Sequence, residues 1–248
     1  MLEDYVVAGY FLTRPIERSE GQNDPALVPQ RIVTAAPWPN ESLLPDSWCV
    51  RWSNCSPQER ERAAAAWGIE PMRVEALVDW VTAGIGSRIH VSSLCVTLDD
   101  LRALVGLAEP HTEAAALGMA LPKQDVVRYL ANTEPPDSPP GVAPRGRTEF
   151  AEGLSRGVPP DPSGRALGHE ILGLCEVPWA SNRDSWLAFG LERPALEELG
   201  VATNEHGMIE SLADARRVAA WIDASPPDCT PGPWFSWLLI RYDLARGA

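Results

Sequence analysis

Lysine is almost absent from this chain: Lys123 is the single one, and every other base is arginine. Beside so much Ala, Gly and Pro, that choice reads as the codon bias of a GC-rich bacterial genome and not as a phosphate site. Five cysteines (Cys49, Cys55, Cys95, Cys175, Cys229) are odd in number and never fall in a C-x-x-C arrangement. Reduced, buried thiols follow, and a disulfide framework or zinc knuckle does not. No run approaches the ~18 uninterrupted apolar residues of a membrane-spanning helix. The opening residues Met1–Tyr5 carry acids where a signal peptide carries bases. A cytoplasmic protein with no membrane partner is expected.

Positive charge is also short. Thirty-four acids stand against 21 bases, a net charge of −13, and the acids are spread along the chain. Such a field repels phosphate backbones, which argues against nucleic acid and for a basic partner.

Catalytic and metal motifs are missing as well. His90, His111, His169 and His206 lie far apart, with no H-E-x-x-H and no i, i+4 pair, so the spacing implies no metal. Gly84-Ile-Gly86 lacks the third glycine and the strand context of a dinucleotide cradle, and there is no Walker A sequence, so no cofactor is implied. Gly153-Leu-Ser-Arg-Gly157 matches G-x-S-x-G, with Asp184 and His206 following in hydrolase order. A polar, helical pattern precedes that Ser, however, and Val158-Pro-Pro follows it, so a strand-turn-helix elbow is not expected. No residue is assigned a catalytic role.

What is present is regular structure. Tyr5 to Leu12, Trp48 to Trp52, Ile89 to Val96, Ala114 to Leu121, Arg165 to Val177 and Trp234 to Tyr242 read as strands by alternation or β-branched and aromatic content. Ser56-Pro-Gln-Glu59 is a capping box with Pro at the first helical position, and Gly68 stops the helix it opens. A second helix is expected from Pro71 to about Ala83, with Val74, Leu77, Val78 and Val81 on one stripe. Thr97 caps a third that ends near Gly106, and Pro122 to Ala131 forms a fourth. Asp184-Ser-Trp186 opens a helix through Leu191, Pro194 starts another stopped by Gly200, and Ser211 caps the last.

Residues 132–164 are Pro-rich and read as a linker or surface excursion between blocks 1–131 and 165–248, with a short helix from Arg147 to Leu154 ended by Gly157. The two blocks share an order of signals. Asp46-Ser47-Trp48 matches Asp184-Ser185-Trp186, Trp67-Gly68-Ile69 matches Leu199-Gly200-Val201, and Thr97-Leu-Asp-Asp100 matches Ser211-Leu-Ala-Asp214. The fold expected is α+β: a mixed or antiparallel sheet covered by helices, possibly built as two pseudo-repeated halves with the second block packed on the first.

Ten tryptophans against four Phe and four Tyr is the least ordinary feature. Indoles serve a core first, and an interface anchor or pocket wall second. With the spread acidity and the absent catalytic groups, this points to a non-enzymatic bacterial interaction protein of the immunity or inhibitor kind, binding a basic partner. The alternative is a small-molecule binding or modifying protein with an acidic pocket between the halves. Trp48 and Trp186 would wall that pocket, with Asp46, Asp184, His169 and Glu170 as its polar groups. His169 and Glu170 are adjacent in a strand, so their side chains point to opposite faces.

Overall fold

A computed structural model of the chain describes residues 2–17, 31–36, 43–44, 56–90, 94–110, 114–132, 149–177, 180–227 and 233–244. The strand expected at Trp48 to Trp52 lies outside these residues, as do Asp46 and Trp48.

The strands are β1 (Tyr5–Thr13), β2 (Ile16–Glu17), β3 (Arg31–Ile32), β4 (Leu43–Leu44), β5 (Ala115–Pro122), β6 (Arg165–Val177), β7 (Ala180–Ser185) and β8 (Trp234–Tyr242). The helices are α1 (Pro57–Ala66), α2 (Pro71–Gly84), α3 (Leu98–Ala108), α4 (Lys123–Asn132), α5 (Glu149–Ser155), α6 (Glu192–Leu199) and α7 (Leu212–Ala224). Six strands form one antiparallel sheet in the order β4-β1-β5-β8-β6-β7, and β2 pairs with β3 apart from it. The fold is therefore α+β, with strands of both blocks in one sheet.

Local chemistry explains most boundaries. Ser56 and Thr97 each close a full capping box, with Glu59 and Asp100, and Ser211 accepts from the Asp214 amide at the start of α7. The stripe Val74, Leu77, Val78 and Val81 is the buried side of α2. It packs with α1 and α3 over Val7, Tyr10 and Leu12 of β1. On the opposite face, Val126 and Tyr129 of α4 and Phe150 of α5 cover Phe11, Leu117, Phe235 and Trp237. Both faces of β5 and β8 are consequently buried, as expected of central strands.

Two expected elements differ. Ile89 to Val96 is no continuous strand among the described residues: Ile89 and Cys95 form one isolated antiparallel bridge with each other, and the His90 amide donates to the Leu94 carbonyl. Trp186–Phe189 is only a short 3-10 helix: Ser185 caps it, accepting from the Leu187 amide while also ending β7, and Gly190 takes a left-handed conformation at its close. That glycine leaves the helical segment from 184 to 191 with a single turn.

The sheet carries an internal pseudo-twofold. Met119 of β5 lies opposite Leu239 of β8, and these two residues also pair outward with Gly9 of β1 and Gly168 of β6. Each glycine follows a β-bulge, after Val7 in one half and after Ala166 in the other. The next residue, Tyr10 or His169, exchanges two main-chain hydrogen bonds with Cys95 or Ile209. Two residues further on stand the caps of α3 and α7, Thr97 and Ser211, and each helix leads to a central strand. An axis normal to the sheet between Met119 and Leu239 thus relates β4, β1 and β5 to β7, β6 and β8. The Thr97/Ser211 match is part of this symmetry. The Asp-Ser-Trp match is not: Thr13 pairs with Leu43 and its equivalent Leu172 with Ser185, which aligns Leu43, and not Ser47, with Ser185.

Candidate functional site

His169 lies on β6 just past Gly168, whose φ of +135° and whose close approach to Met208 and Asn204 leave no room for a side chain. That bulge turns the imidazole toward the α7 side of the sheet, where it is 4% exposed. Its Nδ1 lies 3.1 Å from the Ile209 carbonyl, and its Nε2 lies 3.0 Å from the Tyr5 hydroxyl. A carbonyl can only accept, so Nδ1 carries the proton and Nε2 accepts from Tyr5. The contact ties outer strand β1 to outer strand β6 across the two central ones.

Burial holds both groups neutral. Desolvation pushes the His169 pKa below its ordinary value against the pull of the Ile209 and Glu210 main-chain groups, and the Arg216 charge adds to the lowering. Desolvation likewise pushes the Tyr5 hydroxyl up.

The pair forms the floor of an open cleft of ≈ 510 Å³ where the halves meet. Leu2 and Tyr5 come from the first half; Arg165, Glu205, His206 and Glu210 stand around it from the second. The 204–210 wall is built by Asn204. Its Oδ1 accepts from the His206 and Met208 amides, and its Nδ2 donates to the Leu167 carbonyl at the bulge.

Glu170 points to the other face, as alternation requires. It is buried, accepting from the Thr34 hydroxyl and, at 2.8 Å, from the Ala35 amide, while Thr34 Oγ1 accepts from the Ala36 amide. The carboxylate pins residues 34–36 against the sheet and does not share a site with His169. Trp186 is fully buried among Ile171, Val218 and Trp234, away from the cleft lining, and Asp184 is half-buried opposite Gly173. Of the described residues that the sequence assigned to a pocket (Asp184, Trp186, His169 and Glu170), His169 alone lines the cleft, and Asp46 and Trp48 lie outside the described residues. Tyr5, Asn204, Glu205 and Glu210 were not anticipated, and His206 was weighed only against hydrolase and metal patterns; the Asn204-to-Gly207 turn, which Gly207 closes at φ +76°, marks their loop. Ser155 sits at the end of α5, its hydroxyl bonded to the Ala151 and Glu152 carbonyls, so G-x-S-x-G here is helical.

Among the described residues no group of three His, Cys, Asp or Glu side chains gathers as a metal site, and no helix is long and apolar enough to cross a membrane. Comparison of the chain with protein-family models, with curated proteins and with solved structures gives no match.

Proposed function

We propose that the protein is a non-enzymatic interaction protein that neutralises a basic partner, as an immunity or inhibitor protein does in the bacterial cytoplasm. The observation that carries this reading is the open cleft at the junction of the halves, lined by Glu205, Glu210 and Arg165 around a neutral Tyr5–His169 floor, with the nearby Arg216 guanidinium already paired to Asp125. An open, polar, net-negative mouth suits a protruding Lys or Arg of a protein surface, and the overall charge of −13 steers such a partner in. Binding by the floor is favoured over proton transfer from it, because both nitrogens of the His169 imidazole are already engaged.

One observation favours a small cationic ligand instead: the cleft volume lies in the range of small-molecule sites. Against it, no described tryptophan lines the cleft, and Trp67, Trp186, Trp234 and Trp237 are all core residues.

The test is affinity capture from native cells at low and high salt, with the wild-type chain and a Glu205→Lys/Glu210→Lys variant. A basic protein retained by the wild type at low salt, released by salt and lost from the folded variant is the expected result. Retention that ignores both salt and charge reversal sinks the proposal.

A further inference from the structure

The pseudo-twofold makes the cleft comparable with its own counterpart in the first half. There, the outer edge of β1 beside the bulge is occupied: the Val7 amide donates to the Val158 carbonyl at 2.9 Å, and Val7 is buried. Residues 158–161, which contain Pro159 and Pro160 and belong to no helix or strand, meet that edge through the Val158 carbonyl before β6 begins. In the second half Ala166 stands where Val7 stands, with the same central-strand register and the same bulge. Its amide accordingly points away from β8. β7 pairs only with Leu172–Val177, and Ile209 takes the edge at His169. Among the described residues no main-chain group fills the place beside Ala166, which is exposed and lines the cleft. The turn Leu2–Asp4 brings Leu2 to the cleft without covering that edge.

From this we infer that the β6 edge at Arg165–Ala166, ahead of the stretch that Asn204, Met208 and Ile209 cover, is a docking slot for an extended, positively charged segment of a partner protein, which gives Ala166 the main-chain carbonyl that Val158 gives Val7. An open strand edge is a template for an added strand, and the fold already fills the equivalent place with the main-chain carbonyl of Val158. Glu205 and Glu210 select cationic side chains on the incoming segment, while the main-chain bond sets its register. The slot rests on the basic-partner reading and adds to it how the partner is held.

A ten-residue peptide alternating Lys and Val is the probe, with one alternating Glu and Val as control. Titrated into labelled full-length protein, the Lys-Val peptide is expected to shift the Ala166 amide resonance and slow its hydrogen exchange, with no comparable change at Val7. Ala166→Pro removes the amide at an edge position where proline is tolerated. It should weaken binding about tenfold, the order that one main-chain hydrogen bond carries, whereas Ala166→Val should not. If the proline variant does not fold, the exchange measurement on the wild type decides alone. No response at millimolar peptide, or equal binding of the Glu-Val peptide, overturns the slot. Binding that leaves the Ala166 amide unmoved also overturns it, while leaving the acidic-cleft reading intact; that reading fails if partner capture ignores both salt and charge reversal at Glu205 and Glu210.

Discussion

At the scale of single residues, His169 shows how burial converts an ionisable group into a fixed hydrogen-bonding part. Its folded pKa is depressed by desolvation, so in the range below the ordinary imidazole value of about 6.5 the unfolded chain binds the proton first. Stability is therefore fully present above pH ~6.5 and falls as pH drops toward the folded value, by ~1.4 kcal/mol for each unit of depression. Urea midpoints at pH 7.5 and 5.0 should differ more for the wild type than for His169→Gln, which keeps an acceptor for Tyr5 but cannot titrate. Glu59 and Asp161, whose pKa values are lowered by hydrogen bonds from Ser56 and Ser163, lose stability only at more acid pH and so do not mimic this window. An equal pH response in both proteins would show that His169 is not the group responsible.

Among the elements, glycines separate packing from propensity. Gly153 of α5 faces β1 so closely that a Cβ would stand 1.8 Å from the Ala8 carbonyl oxygen, and backbone cannot move aside as a side chain can. Gly106 of α3 is exposed, and a Cβ there meets nothing within 4 Å. Gly106→Ala should raise stability by ~0.5–1 kcal/mol. Gly153→Ala should lower it by several times that, since the helix must lift from the sheet; thermal melts of the two variants give the opposite signs directly. The same distinction explains what was legible in the sequence. Caps, stripes and stops are local, so Ser56, Thr97, Ser211 and the α2 stripe could be read, and β6 could be read from Arg165 to Val177. Strand β7 could not, because Asp184 and Ser185 carry helix-opening chemistry and become strand only through pairing with Leu172 and Gly173. The cleft was hidden for the same reason: His169 could be placed on a strand face, but Tyr5 meets it only once β5 and β8 lie between them.

Across the whole molecule, the position of the dyad sets what separate opening of either half would expose. The axis passes between β5 and β8, which are both central and buried on both faces, so neither half can expose its inner strand without losing apolar cover. Trp237 makes the point concrete. It packs against Tyr129 of α4 at 5.3 Å between ring centroids and against Phe150 of α5 at 5.8 Å, in a cluster that also holds Phe11 of β1 and Leu172 of β6. Removing a buried indole of this kind by Trp237→Ala should cost ~3–5 kcal/mol. If the halves are one cooperative unit, that loss is felt equally on both sides of the axis. Native-state hydrogen exchange at Leu117 of β5 and Ile171 of β6 should then fall together, with coincident unfolding curves before and after substitution. A variant in which β6 opens while β5 keeps its protection would show that the dyad joins two separately folding halves, and the cleft between them would then be a hinge and not a fixed site.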